Sequence, residues 1–83
     1  MKMQEELRGV IEVLKELKED ATVPRNVKER IATTIKALEE KSEVSIRVNK
    51  ALHELEVVAD DPNLEAYTRT QIWNIVSALE KIA

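Results

Sequence analysis

Few side chains in this sequence combine a type and a spacing that could do chemistry. The only histidine, His53, has Lys50 rather than a glutamate three residues before it, so the Glu-x-x-His spacing by which helical bundles hold metal ions is absent. The chain has no Cys and one Gly, which excludes a thiol nucleophile and a Gly-rich phosphate loop. Asp60 and Asp61 could transfer protons, but a pair before Pro62 is more typical of a helix junction. We predict no catalytic residue, metal site, cofactor or small-molecule substrate, and hence a protein that is not an enzyme.

Basic residues near the start of the second of four predicted helices raise the possibility of anion binding. Arg25, Lys28 and Arg30 lie where a helix dipole prefers acids. An antiparallel arrangement would bring Arg69 and several aspartates to the same end, so local ion pairing is one interpretation. The alternative is a small anion or RNA-phosphate site formed by Arg25, Lys28 and Arg69. A net charge of −3, from 13 basic and 16 acidic residues, argues against a general affinity for nucleic acid or anionic membranes.

Apolar residues outside the expected core suggest contact with another protein. Ile46 and Val57 lie roughly opposite the inward stripe of the predicted third helix. Trp73 lies to one side of the core arc on the fourth helix, one turn from Arg69, which could stack on the indole. Single exposed apolar residues are ordinary, and Trp73 could simply cover the edge of the bundle. Because Trp and Arg are favoured anchors at protein contacts, we predict an interface of Trp73, Arg69, Ile46 and Val57 that serves a homodimer or a protein partner.

These side chains would be positioned by four amphipathic helices, because apolar residues recur at spacings of three and four. The first is predicted from Lys2 to Glu19, and the fourth runs from Leu64 to Ala83. The predicted inward positions are Met3, Leu7, Val10, Ile11, Leu14 and Leu17; Val23, Val27, Ile31, Ile35 and Leu38; Val44, Val48, Ala51, Leu52, Leu55, Val58 and Ala59; and Leu64, Ile72, Ile75, Val76, Leu79 and Ile82.

Polar residues between the helices are candidate caps, whose side chains would accept from free backbone N–H groups. Thr22 is the predicted cap of the second helix, and Ser42 or Ser45 of the third. Asp61 or Asn63 is the predicted cap of the fourth helix.

A weak internal repeat joins the helices in pairs. Shifting the chain by 41 residues lays Leu14 on Leu55, Asp20 on Asp61 and Ile31 on Ile72. We interpret residues 2–41 and 44–83 as two copies of one helical hairpin. One hairpin cannot bury its own apolar stripe, so two should pack face to face. The predicted fold is a single all-α domain over residues 1–83, an antiparallel up-down-up-down four-helix bundle whose handedness the sequence leaves open.

Composition favours a soluble cytoplasmic protein. The chain is 43% hydrophobic with only two aromatic residues, which predicts a small aliphatic core. No apolar run approaches the roughly 20 residues of a membrane span. The N-terminal MKMQEEL lacks the apolar stretch of a signal peptide.

Several segments resemble a known family. They are Thr22-Val23-Pro24-Arg25-Asn26, Arg47-Val48, Asp61-Pro62-Asn63, Arg69-Thr70 and Ile72-Trp73-Asn74-Ile75-Val76-Ser77. Together they make the chain similar to the short archaeal proteins of uncharacterised protein family 0147. The resemblance implies an archaeal cytoplasmic source and an all-helical bundle, and it implies no activity. Glu65 departs from the pattern, since relatives often have Pro there.

These observations lead to two competing hypotheses. The first is a small non-enzymatic interaction or scaffold protein that self-associates. The alternative is a nucleic-acid or ribonucleoprotein accessory protein that uses the local basic patch.

Overall fold

The structure, a computed structural model, describes the backbone of residues 2–82 and the side chains from Glu5 to Ile82. The predicted inward side chain of Met3, and the outermost residues of the proposed 1–83 domain and 44–83 repeat, therefore lie outside the described part. Residues 2–82 form four helices connected by turns: α1 (Lys2–Glu19), α2 (Arg25–Leu38), α3 (Val44–Ala59) and α4 (Ala66–Ile82). The described residues contain no strand, so the all-α class is confirmed.

An aliphatic core runs through the middle of all four helices. Leu14, Ile31, Leu55 and Ile72, one from each helix, are fully buried. Complete burial of a side chain of this size contributes about 1.5–3 kcal/mol. Most of the other predicted inward residues are also buried, while those at the edges or ends of the stripes are half-buried and pack against the core, namely Ile11, Val44, Leu52 and Ile82.

The helices surround this core in chain order, and the ring closes where α4 meets α1. Packing is most extensive between α2 and α3 and least extensive between α1 and α4. No helix in the described part of the chain is both long enough and apolar enough to cross a membrane.

The starts of α2 and α3 correct the predicted caps. Pro24 precedes α2 without a capping side chain; the hydroxyl and the N–H of Thr22 instead donate to Oδ1 of Asp20, at 2.7 and 2.8 Å. Glu43 precedes α3, again with no side-chain cap, so the prediction that Ser42 or Ser45 caps α3 is wrong. A nearby carboxylate holds the Thr22 hydroxyl, which explains the first error.

The turns before α2 and α4 are built alike. The N–H of Thr22 donates to the Asp20 carboxylate and the N–H of Asn63 to the Asp61 carboxylate, both at 2.8 Å. In each turn the following N–H donates to the carbonyl of the same aspartate at 3.2 Å. This is the Asx turn that Asp favours between elements. The two turns are 41 residues apart, the interval of the sequence repeat.

Candidate binding surfaces

Arg69 joins α4 to the end of α3. Its side chain is half-buried. Nε donates to the carbonyl of Ala59 at 3.0 Å, and Nη2 donates to the carbonyl of Asp61 at 2.7 Å. The last carbonyls of a helix have no partner within that helix, and a nearby cation both pairs with them and complements the helix dipole. The guanidinium of Arg69 is therefore engaged with backbone rather than presented to solvent.

Arg47 makes a similar contact one helix earlier, although it was not predicted as a site residue and entered the sequence comparison only in the Arg47-Val48 segment. Its Nη1 donates to the carbonyl of Leu38, the last residue of α2, at 3.1 Å. Its Nε is buried without a partner. Arg47 and Arg69 are each the fourth residue of their helices. A basic residue at this position opposes the dipole of its own helix, but it meets the carbonyl end of the preceding one.

Lys28 is the fourth residue of α2 and lies near Asp20. The pKa of the Asp20 carboxyl is below its usual value, chiefly because the hydroxyl and N–H of Thr22 donate to it, with a further contribution from the charge of Lys28. Lys28 therefore also faces the end of the helix that precedes its own. The sequence signal shared by Lys28, Arg47 and Arg69 is their position in the first turn after a short connection.

The three residues of the predicted anion patch differ in exposure and in the groups that they contact. The side chain of Asn26 donates to the carboxylate of Asp61 at 2.7 Å, so the starts of α2 and α4 lie at the same end of the molecule. At this end Arg25 is exposed, Lys28 is half-buried beside an aspartate, and Arg69 is bound to carbonyls. An anion at this end would be met first by Arg25.

The apolar residues of the predicted interface reach the surface. Trp73 and Ile46 are each 47% exposed and Val57 is 40% exposed. Two further large side chains, Val13 and Tyr67, are also exposed, at 37% and 71%. Neither residue was part of the predicted interface, although Val13 lies on the flank of the α1 stripe, where a helical wheel shows partial exposure.

Trp73 is surrounded on α4 mainly by small, uncharged side chains. Ala66, Thr70 and Ser77 fall within about 60° of Trp73 on the wheel of α4, and all four side chains are exposed. We call these four residues the Trp73 face. Two charged residues lie on the same arc, Arg69, whose guanidinium donates to backbone carbonyls, and the exposed Glu80 two turns away. Residues 1–41 contain nine basic and nine acidic residues, whereas residues 42–83 contain four and seven. Aromatic enrichment together with loss of charge is the composition of interface centres.

A shallow groove of about 520 Å³ lies between α2 and α3, and His53 contributes to its wall. His53 is exposed. Two ion pairs cross from α2 and its C-terminal turn to α3, Arg30 with Glu54 and Lys50 with Glu40, each at 3.1 Å. These four charged groups are thus paired with one another, and Lys36 also lines the groove. Within the described residues no three His, Cys, Asp or Glu side chains form a group that could hold a metal ion.

Comparison with known proteins gives a consistent set of relatives. The model of the uncharacterised protein family UPF0147 matches residues 1–82. UPF0147 protein MJ1419 of Methanocaldococcus jannaschii is 42% identical over 95% of this chain and 86% of its own length. A UPF0147 protein of Archaeoglobus fulgidus is 45% identical over 93% of this chain and 88% of its own.

Two solved structures share the fold. The crystal structure of a UPF0147 protein from Thermoplasma acidophilum superposes with a TM-score of 0.93, at 30% identity, over the full length of both chains. The crystal structure of MMP1188, a protein described as being of unknown function, gives a TM-score of 0.88 at 40% identity, covering 94% of this chain and 90% of that one.

Proposed function

The chain belongs to the uncharacterised protein family UPF0147, and from that premise we propose that it is a small non-enzymatic interaction protein that self-associates. The observation that carries the proposal is a Trp side chain that is 47% exposed beside the small uncharged side chains of Ala66, Thr70 and Ser77 on α4. The two ion pairs at the α2/α3 groove, Arg30 with Glu54 and Lys50 with Glu40, support the non-enzymatic part, because these four groups neutralise one another instead of converging on a reacting atom. We further propose that the protein acts in the cytoplasm, as the family resemblance implies.

We propose that the architecture beneath this surface is a single domain of two similar antiparallel hairpins. The side-chain contacts between the α2 and α3 regions support this, because their partners descend in number as α2 ascends: Asn26 with Asp61, Arg30 with Glu54, and Glu40 with Lys50. The matching Asx turns at Asp20 and Asp61 support the repeat. In this arrangement α3 and α4 share an outward surface that includes the Trp73 face.

The proposed self-association is a symmetric dimer through the Trp73 face. In such a dimer the same patch meets itself, so each copy contributes one indole to the centre, and the charged Glu80 lies two turns from it towards the edge. Small side chains at Ala66 and Ser77 allow the two helices to approach closely. The apolar pair Ile46 and Val57 on α3 is a second strip that a protein partner could cover, and we assign it a supporting role.

Solution mass tests this proposal. We expect the wild-type mass to rise above the 9.5 kDa of one chain between about 1 and 300 µM, the range in which weak dimers form. Trp73→Ala should weaken the dimer at least about thirtyfold, as for a buried aromatic anchor. The matched control is Tyr67→Ala, which removes an exposed aromatic ring from another side of the same helix. A mass of one chain throughout the range, or a dimer retained in Trp73→Ala, would refute the proposal.

The nucleic-acid alternative has weaker support. Arg25 is exposed, but Arg69 already donates to two carbonyls, so only part of the proposed patch is free to meet phosphate. Binding to a short labelled RNA in low salt, weakened by added salt and by Arg25→Ala, would favour this alternative.

A further inference from the structure

A groove follows the line where α1 meets α4. It consists of two adjoining cavities that share Val13 and Gln71. The first, of about 310 Å³, has an apolar wall that includes Val10, Ile75 and Ala78. The second, of about 240 Å³, includes Glu16, Asp20 and Tyr67. We call the whole the α1/α4 groove; it is apolar at one end and acidic at the other.

Comparison with the opposite side of the molecule explains why this groove is open. The ion pair of Arg30 with Glu54 links α2 to α3. In the sequence repeat, Gln71 of α4 corresponds to Arg30, which is 41 residues earlier, and Val13 of α1 corresponds to Glu54, which is 41 residues later. The two positions that form the ion pair between α2 and α3 are therefore occupied by uncharged residues in the α1/α4 groove. None of the ion pairs found among residues 5–82 joins α1 to α4.

The α1/α4 groove and the α2/α3 side also differ in the polar contact at their ends, again at positions related by 41 residues. On the α2/α3 side the amide of Asn26 donates to Asp61. The shifted positions are Tyr67 and Asp20, which line one cavity. Tyr67 is 71% exposed and its hydroxyl lies 3.5 Å from Nε2 of Gln71. Tyr67 is thus a large amphipathic side chain at the mouth of the groove with most of its surface uncovered.

Charge identifies the kind of molecule that fits the groove. Glu16 is exposed at its acidic end. The Asp20 carboxyl is ionised near neutral pH, because its hydrogen bonds with Thr22 hold its pKa below the usual value. Glu12 and Glu19 lie beside these two in an adjoining surface hollow, which also contains Lys15. Lys28 is a second basic neighbour, close to Asp20. A ligand of this groove therefore needs an apolar group at one end and a cation at the other.

We propose that the α1/α4 groove binds an amphipathic helix of a partner protein through an apolar side chain in the Val10/Ile75 cavity and a Lys or Arg at the Glu16/Asp20 end. From Val10, Glu16 is six and Asp20 ten residues further along the chain, which is roughly 9 to 15 Å at 1.5 Å per residue. On a ligand helix that runs parallel to α1, a basic residue at position i+7, about two turns after the apolar anchor, lies within this interval.

The groove is distinct from the self-association surface. On the wheel of α4, Trp73 is about 150° from Gln71 and Ala78, which line the groove. A second copy of this chain is a poor occupant, because the lining of its own groove contains acids and no Lys or Arg that could pair with Glu16 and Asp20. Failure of the dimer test would therefore leave this inference standing, and the reverse also holds.

Binding of designed helical peptides tests the inference. The panel consists of fluorescein-labelled peptides of about 18 residues with Leu at i and i+4 and Arg at i+6, i+7 or i+8, and of matching peptides with Glu in place of Arg. We expect binding of the Arg peptides, strongest at i+7, by anisotropy. Amide NMR signals of Val13, Gln71 and Ala78 should shift on addition of the peptide. The Glu peptides should bind at least about tenfold more weakly.

Variants locate the binding. Val13→Lys and Glu16→Lys should each weaken binding of the i+7 Arg peptide at least about tenfold. Their controls are Ala32→Lys, at an exposed apolar residue of α2, and Glu29→Lys, at an exposed acid on the same helix; both should bind like the wild type. The inference is overturned if no Arg peptide shifts the groove signals at about 1 mM protein, or if control and groove variants lose binding equally. A wild-type dimer that Val13→Lys dissociates would also overturn it, since the occupant would then be a second copy.

Discussion

The guanidinium of Arg69 and the backbone carbonyl of Asp61 lie 2.7 Å apart, from Nη2 to the carbonyl oxygen. The side chain of Asp61 accepts from the amide of Asn26 through Oδ2 and from the backbone N–H of Asn63 through Oδ1. Asp61 therefore joins the start of α2, the end of α3 and the start of α4. The TM-scores of 0.88 and 0.93 with two related proteins show that the arrangement of helices around this junction is shared within the family.

Replacement of Arg69 by Ala should destabilise the fold. The change removes two hydrogen bonds from a half-buried cation to carbonyls of Ala59 and Asp61, and bonds of this type contribute about 1.5–3 kcal/mol. We expect the free energy of unfolding to fall by about 2 kcal/mol in urea titrations followed by Trp73 fluorescence. Arg25→Ala, at an exposed position of α2, is the control and should change stability by less than about 0.5 kcal/mol. Equal effects of the two substitutions would show that Arg69 does not hold the end of α3.

Replacement of Gly9 by Ala should stabilise the protein. Gly9 lies inside α1, and a Cβ placed there meets no atom within 4 Å. Because Ala has the higher helix propensity, we expect a gain of about 0.5–1 kcal/mol in the free energy of unfolding. The reverse change at an exposed Ala of α2, Ala32→Gly, should lower it by a similar amount. A loss of stability in Gly9→Ala would mean that another molecule approaches α1 at this point.

Substitution of Asp20 should change how stability depends on pH. Its pKa in the folded protein is below the usual 3.8 because Thr22 donates two hydrogen bonds to it. The ionised carboxylate therefore stabilises the fold above the unfolded pKa, and this contribution is lost as pH falls through the folded pKa. In urea titrations from pH 7 downwards, the stability difference between wild type and Asp20→Asn should shrink below about pH 4.

Thr22→Ala supplies the control for that pH dependence. This variant keeps the backbone N–H but removes the hydroxyl, so Asp20 retains one of its two hydrogen bonds. The pH-dependent change in stability should therefore be only partly lost in Thr22→Ala. An Asp20→Asn profile parallel to that of the wild type throughout would contradict a lowered pKa.

The helices were predictable from the sequence because burial follows spacing. Leu14, Ile31, Leu55 and Ile72 recur at the period of a helix and are fully buried. The caps were not predictable, because the Thr22 hydroxyl, expected to accept from a backbone N–H, instead donates to the carboxylate of Asp20. Propensity ranks residue types, but it does not tell which hydrogen-bond partner is nearer in space.

The roles of the basic residues depend on contacts between elements. Arg69 looked available for an anion or for stacking on Trp73, since the sequence does not show that the end of α3 lies within reach of its guanidinium. Arg47 belongs to a segment that resembles the family, but its contact with the carbonyl of Leu38 depends on where α2 ends. The α1/α4 groove was missed for a related reason: Val13 and Gln71 become significant only when compared with the pair that occupies their positions on the other side of the molecule. Interactions between residues far apart in sequence decide these features, and no local period encodes them.

Thr34 offers a test of the repeat inside the core. It is fully buried, and its hydroxyl donates to the carbonyl of Arg30 one turn earlier at 2.8 Å. That carbonyl is already within a helical ladder, so the extra bond adds little, and the position 41 residues later is Ile75. Thr34→Val, which keeps the shape and removes the hydroxyl, should therefore leave the free energy of unfolding within about 1 kcal/mol of the wild type or raise it.

The opposite substitution at the same position separates the two groups of the side chain. Thr34→Ser keeps the hydroxyl and removes a buried methyl, which should cost about 1 kcal/mol. If burial of the methyl governs this position, the order of stability is Val at or above Thr, and Thr above Ser. If the bond to Arg30 governs it, Ser should be more stable than Val, and the urea midpoints of the three proteins would show the reversal directly. The second order would mean that Thr34 and Ile75, which occupy equivalent positions in the proposed repeat, are stabilised by different interactions.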